Sequence, residues 1–360
     1  MLAFHSRYVL WSGGTEYLKS LPRASWSVLQ YLSFAVDMSL SAGYEMVIFF
    51  FVLSGFFIRY AQQKKFRPAL SFYLNRVVRI YPPYLASLVL AGAALVYVAY
   101  QHPALLATTA GREYNADLWV AWHELYPMTM SRLGKTLLFL KSGDKYFGNN
   151  GVYWSLLPEA LFYASVPLAF WRIRYYYAIS TALYACGIAL EALHFGTGPL
   201  GKFVFVYNGY FALGVGLFDV VSQRPRWLAV FEQVKGVWLT IAFALLNLSL
   251  VGTAVAHFTI LSGPLAALLA VLSVSVLLAG RVNRRNFLVR VFHEVGLFSF
   301  SLYLYHPPLL LLVYAGLVAS TGLLVNFDHY YWAAVPLVTL GCYALYFVTE
   351  RLAVRFFRGI

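Results

Sequence analysis

Few side chains in this sequence could do chemistry, and each stands out against an apolar run. Glu159 lies in GVYWSLLPEALFY. A carboxylate within a membrane span costs roughly 2.5–3.5 kcal/mol on insertion scales, so it is kept either for function or for a salt bridge that fixes helix packing. Pro158, just before it, frees a carbonyl of the preceding turn, as in helices that line a cavity. In GLFSFSLYLYHPPLLLL, Ser299, Tyr303 and His306 fall at i, i+4 and i+7, on one face of a helix expected to end at Pro307. A polar stripe of this kind faces the interior of a bundle or a wet cavity. Arg76 and Arg79, in YLNRVVRIYPPY, project from one face of a short helix that Tyr81 and Pro82-Pro83 are expected to break. Two fixed cations suit a phosphate-bearing ligand. His5, in MLAFHSRYVLW, is a lone histidine in an apolar run, a setting in which packing is commoner than catalysis.

The elements that must position these groups are membrane helices. The chain is 61% hydrophobic and only 11% charged, against about a quarter charged in soluble domains. Apolar runs cover 47–60, 84–100, 152–171, 175–193, 203–221, 236–251, 258–279, 295–319 and 332–348, and an N-terminal segment ending near Trp11 makes ten. A span needs roughly 20 mostly apolar residues, so the expected fold is an all-α integral membrane protein, a bundle of about ten transmembrane helices forming one domain over 1–360. Every second connection is basic: the segment from Arg59 to Arg79, then Arg172 and Arg174, then Arg224, Arg226 and Lys235. Arg281, Arg284, Arg285 and Arg290 follow, and finally Arg351, Arg355 and Arg358. The alternate connections 252–257 and 320–331 carry no Lys or Arg. The positive-inside rule then places both termini in the cytoplasm of a multi-pass cell-membrane protein.

That distribution also disposes of nucleic-acid binding. The net charge of +13 sits in short connections rather than on a polar basic domain. Cys186 and Cys342 lie far apart in apolar runs and support neither a disulfide framework nor a cysteine metal site. His123-Glu124 and His293-Glu294 lack the second histidine of a zinc helix, and neither a nucleophile elbow nor a P-loop is present. Gly209, Gly214 and Gly216 read as sites of close helix packing. No basic region precedes the apolar start, so a cleaved signal peptide is not expected. Residues 101–151 form a long outer connection, either a polar lid or a packed interfacial loop with its own short helices, and 26–42, with Asp37, suits an extra interfacial helix.

In order and spacing, FFVLSGFFI followed by RVVRIYP resembles the membrane acyltransferase 3 family, which O-acylates carbohydrates and other acceptors across a membrane. Trp154 to Tyr163 matches the family's W-S-L-x-x-E-x-x-F-Y, and residues 299–308 are similar to S-Y-S-L-Y-L-x-H-x-P, with Phe300 in place of the tyrosine. The resemblance runs from His5 to His306. It implies acyl-CoA, most simply acetyl-CoA, as a donor entering from the cytoplasm, with Arg76 and Arg79 on the CoA phosphates and Ser54, Tyr303 and His306 in the donor site. His306 reads equally as a structural residue satisfied by a carbonyl. His5 becomes the base that activates the acceptor hydroxyl, with Glu159 as the second catalytic group. The acceptor is a carbohydrate or glycolipid at the outer face of the lipid bilayer, and no metal or permanently bound cofactor is implied. Transfer directly or through an acyl-histidine stays open. Family members carry an arginine about ten residues before this histidine, where only four residues stand here. An N-terminal helix cut short is therefore expected, about 16 Å long at 1.5 Å per residue. Two other classes remain: a transporter or flippase for a lipid-linked sugar, and a family-derived membrane protein without catalysis.

Overall fold

The computed structural model describes residues 1–106, 112–224, 226–283 and 285–356. Arg284 and Arg358, two members of the alternating basic series, lie outside the described residues. Among the described residues the regular structure is helical, without strands. Long apolar runs leave the backbone no other way to satisfy its N–H and C=O groups away from water. In chain order the helices are α1 (Leu2–Leu10), α2 (Gly13–Ser20), α3 (Val28–Ser39), α4 (Gly43–Lys64), α5 (Ala69–Gln101), α6 (Glu113–Leu125), α7 (Met130–Leu137), α8 (Leu156–Trp171) and α9 (Ile173–Ala192). They continue with α10 (Pro199–Lys202), α11 (Asn208–Gln223), α12 (Arg226–Gln233), α13 (Gly236–Val255), α14 (Thr259–Leu278), α15 (Phe287–Leu297), α16 (Ser299–Thr321), α17 (Tyr331–Val348) and α18 (Glu350–Phe356).

Seven stretches of the described residues are long and apolar enough to cross a membrane: Val28–Lys64, Ala69–Gln101, Pro199–Gln223, Gly236–Val255, Thr259–Leu278, Ser299–Thr321 and Tyr331–Phe356. The three other expected spans fall short for separate reasons. Helix α1 has 9 residues and α8 has 16, whereas α9 has 20 but dilutes its apolar residues with Arg174, Ser180 and several tyrosines.

Three proline expectations are corrected. Helix α5 runs unbroken through Pro82 and Pro83, and α16 runs through Pro307 and Pro308 instead of ending there. A proline forfeits one hydrogen bond, but a full break would strand several backbone groups where no water can reach them. Pro158, by contrast, sits in the first turn of α8, which begins at Leu156. There the missing N–H has no helical partner to lose.

The chain forms two compact units. The first comprises Met1–Asp37, Leu74–Leu157 and His293–Ile360, and the second Met38–Tyr73 and Pro158–Phe292. In the first unit α1 packs against α16 and α17, which also pack against each other. Leu10, Trp11, Leu304, Leu310, Tyr314 and Tyr331 are buried there. Among the described residues, parts of the long connection pack into this core. Leu105, Leu118 and Asn115 are fully buried, and the Asn115 amide donates to Leu105 O at 2.7 Å while its Oδ1 accepts from Tyr314 Oη at 3.1 Å. Gly148 has φ +63°, and a Cβ there would run into Ala91. Helix α3 turns Val28, Leu29 and Leu32 outward, as an interfacial helix would, and buries Asp37, which accepts from Tyr331 Oη and lies 3.1 Å from His329 Nε2.

In the second unit α4 packs against α11 and α14. A Cβ at Gly55 would overlap the Phe211 carbonyl, and one at Gly214 the Val52 carbonyl. The two helix backbones therefore touch, with glycine on both sides, in the small-residue packing that serves where hydrophobic drive between helices is absent. Phe162 and Phe211 stack at 4.3 Å beside this seam. Arg59, one of the basic residues of the α4–α5 connection, pairs with Asp219 through two bonds of 2.8 and 3.2 Å.

Candidate active site

His5 owes its position to the anchoring of a short helix at its far end. An α-helix leaves its last four carbonyls without intrahelical donors. In α1 a buried cation answers them: Arg112 Nη2 donates to the carbonyls of Tyr8, Val9 and Trp11 at 3.2, 3.0 and 3.3 Å. Its Nη1 donates to Leu324 O at 3.3 Å, so one guanidinium joins α1 to the segment after α16. Ser12 and Asn326 complete the anchor with reciprocal bonds, Ser12 N to Asn326 O at 2.8 Å and Asn326 N to Ser12 Oγ at 2.6 Å. Arg112 was legible in the sequence only as one charge of a long connection.

The ring of His5 meets that of His306. Nδ1 of His5 lies 2.7 Å from Nε2 of His306, and the rings meet end to end, 22° from parallel with centroids 4.9 Å apart. The protons in this pair follow from one carbonyl. Nδ1 of His306 lies 2.8 Å from Leu302 O, and a carbonyl only accepts, so with neutral rings this nitrogen carries the proton. Nε2 of His306 is then a lone pair and must receive a proton from Nδ1 of His5. The remaining nitrogen, Nε2 of His5, is left with its lone pair, the form a general base requires. His306 is fully buried and His5 half-buried. The carbonyl foreseen for His306 is thus present, and it acts through a second histidine.

Pro308 explains the polar groups around the dyad. Without an N–H it cannot bond Leu304 O four residues back. That carbonyl accepts instead from Ser87 Oγ and Asn150 Nδ2, both at 3.0 Å, and Ser87 also pairs with Tyr153 Oη at 2.7 Å. Ser87 carried no signal in the sequence beyond being polar in an apolar run, nor Asn150 beyond lying in the polar stretch that ends the long connection. Tyr303 Oη lies 2.6 Å from Ser155 Oγ and donates to Val152 O at 2.8 Å, so the W-S-L and S-L-Y-L motifs meet directly. Ser299 is exposed and donates to Gly296 O at 3.0 Å. Of the expected stripe, then, only Tyr303 and His306 face inward.

At another place in the first unit, Arg79 lines a cavity of about 730 Å³ with Asn75, Glu294, Glu350, Arg351 and Arg355. Tyr343, Tyr346 and Phe347 add aromatic surface. Glu350 is held by Ser301, whose N and Oγ donate to its Oε2 at 3.2 and 2.7 Å. Arg76 turns to Asn75, donating to Oδ1 at 3.1 Å. Arg351 and Arg355, which in the sequence read as topology markers, therefore line the same cavity as Arg79. The other two site candidates belong to the second unit. Glu159 is buried and accepts from Tyr163 Oη one turn on; Ser54 is buried on α4 beside Gly55.

A base in the right tautomer and a basic cavity fit acyl transfer from an anionic donor, and comparison with known proteins agrees at the level of family. No curated protein and no solved structure matches the chain. The family model described as an acyltransferase domain matches residues 4–347, nearly the whole chain and every motif discussed above. The chain belongs to this family, the acyltransferase 3 family of membrane acyltransferases.

Proposed function

We propose that the protein transfers an acyl group, acetyl in the simplest case, from cytoplasmic acyl-CoA to a hydroxyl of an extracytoplasmic carbohydrate or glycolipid. The observation that carries this reading is the hydrogen-bonded pair of His5 and His306 at 2.7 Å, which leaves Nε2 of His5 as a free base. In the proposed step this nitrogen takes the proton of the acceptor hydroxyl as its oxygen attacks the thioester carbonyl. The acyl C–O bond forms, the C–S bond breaks, and the proton passes from His5 to the leaving thiolate. The charge that develops on His5 is shared through its Nδ1–H with His306. Nothing in this sequence needs an oxidant, a metal or a further reactant.

Arg79, Arg351 and Arg355 suit the phosphates of the donor because guanidinium groups meet phosphate oxygens in pairs. Arg76 is proposed as a weaker contributor, and Glu159 as the second catalytic group. The basic connections on alternate sides support a multi-pass orientation with both termini in the cytoplasm, which puts donor and acceptor on opposite sides of the bilayer. The experiment is His5→Ala. It is expected to abolish the acyl groups found by mass spectrometry on cell-surface glycans while leaving expression and membrane insertion intact. Near-normal acylation by that variant refutes the role of His5, and failure of the purified protein to consume acyl-CoA would instead favour a transporter.

A further inference from the structure

The second unit contains a cavity of about 470 Å³ that no step above uses. Its volume lies within the roughly 300–1,000 Å³ of small-ligand sites. Four tyrosines line it, Tyr44, Tyr184, Tyr207 and Tyr210, together with one carboxylate, Glu191, and one ammonium group, Lys202. They come from separate elements: Tyr44 opens α4, Tyr184 and Glu191 lie on α9, and Tyr210 lies on α11. Tyr207 closes a π-helical turn, Phe203–Tyr207, an irregularity frequent at functional sites. Gly187 admits that turn, since a Cβ there would overlap the Phe205 carbonyl.

The polar groups are arranged in small networks, and the Tyr184–Tyr210 pair and Glu191 keep capacity in reserve. Tyr184 and Tyr210 pair through their hydroxyls at 3.0 Å, and Tyr44 and Tyr207 at 2.8 Å. A pair of hydroxyls spends one hydrogen between its two oxygens, so the Tyr184–Tyr210 pair keeps one O–H to donate and lone pairs to accept. Oε1 of Glu191 accepts from Thr259 Oγ1 at 2.5 Å, and Oε2 retains its accepting capacity. This set discriminates among ligand classes. An anion would find one ammonium opposed by a carboxylate, and a purely apolar ligand would strand the hydroxyls and the carboxylate without water. A neutral ring carrying several hydroxyls satisfies both, with its C–H faces on tyrosine rings and its hydroxyls on Tyr Oη and Glu191. Phe195 and Thr197, and then Thr259, bring the cavity to the end of the unit where the connections 194–198 and 256–258 carry no Lys or Arg.

We infer that this cavity is a glycoside-binding site recognising a neutral sugar residue. It rests on the proposed function only in taking that residue to be part of the acceptor. The test is saturation-transfer NMR on the full chain in nanodiscs with the methyl glycosides of glucose, galactose, mannose and N-acetylglucosamine, and with choline as a cationic competitor. At least one glycoside should bind, and Tyr184→Phe and Glu191→Gln should each weaken it about tenfold, the effect of one lost hydrogen bond to a polar ligand. Acetyl-CoA binding within about twofold of the unmodified protein certifies that a variant is folded. Thr259→Val, at an exposed position, replaces any variant that fails this check. The inference is overturned if no glycoside binds, if the substitutions leave binding unchanged, or if choline binds better than every glycoside. Glycosides that bind here yet are never acylated would sink the proposed function and leave the site standing.

Discussion

His306→Leu isolates the dyad from everything else in the protein. The substitution removes the acceptor of the His5 Nδ1–H, a bond of 2.7 Å in buried surroundings. Leaving such a donor unsatisfied costs about 1–3 kcal/mol. If that cost falls on the tautomer and orientation of His5 in the transition state, it corresponds to a fall of roughly 5- to 150-fold in kcat, at about 1.4 kcal/mol per factor of ten. KM for acyl-CoA should change little, because the dyad does not line the arginine cavity. His306→Gln is the informative companion. Its side-chain oxygen reaches the place of the imidazole Nε2 and can accept from His5, so it should recover much of the lost rate. The assay is transfer from labelled acetyl-CoA in membrane preparations, read together with imidazole nitrogen NMR of His5. In the unmodified protein the spectrum should show the proton on Nδ1; in His306→Leu the two tautomers should mix. Full activity in His306→Leu, or a Gln variant no better than Leu, would refute the proton assignment. A loss confined to KM would place His306 in donor binding instead.

Other perturbations test the supporting parts separately. Arg112→Met removes four charge-assisted bonds to carbonyls, each worth about 1.5–3 kcal/mol and not additive; it should lower both thermal stability in detergent and the acyl-transfer rate, whereas stability unchanged within error would refute the anchor. Alanine at Arg79, Arg351 or Arg355 should raise the Kd for CoA in calorimetry by about tenfold, and lysine should rescue only in part, since it lacks the planar fork. Equal losses with a phosphate-free thioester would mark these arginines as structural. Gly214→Leu should prevent the α4–α11 backbones from touching and cost at least the roughly 1–3 kcal/mol of overpacking, seen as a lower melting temperature; an unchanged melting temperature would show that the seam can open without penalty.

How much of this was legible in the sequence depends on how local each feature is. Apolar runs announce the long helices because the requirement to pair every backbone group in hydrocarbon acts residue by residue. Close packing at Gly214 could be read for the same reason. The pairing of His5 with His306 joins residues 301 apart, and no periodicity reaches that far; only the family motifs put both on the page. Arg112 looks like a loop charge until α1 is seen to end beside it. Arg351 and Arg355 were read as a topology signal, which discounted them as ligands, and they lie beyond residue 347, where the family match ends. Asp37 was visible as an anomaly in an apolar stretch, but its partners Tyr331 and His329 are supplied by a distant helix start.

The misread prolines separate polar residues that repair the backbone from those that do not. Pro82-Pro83 and Pro307-Pro308 were expected to stop helices, yet both pairs lie within helices. Each proline leaves a carbonyl four residues back without its donor, and inside an apolar bundle that carbonyl must find another. Leu304 O finds Ser87 and Asn150. Ser87 is consumed in repairing the backbone of α16, donating to Leu304 O while paired with Tyr153 Oη, and Asn150 gives its amide Nδ2 to the same repair. Leu302 O differs. It lies on the same helix one turn before His306, has no proline opposite it, and accepts an additional proton from the His306 ring. By fixing that proton, the helix determines which nitrogen of His5 is left basic. The polar residues of this region therefore divide by where their protons go: directly to backbone carbonyls for Ser87 and Asn150, and onto His306 for His5, which leaves a lone pair at Nε2 of His5. A substitution at Ser87 should thus appear first as lost stability, and one at His306 first as lost rate.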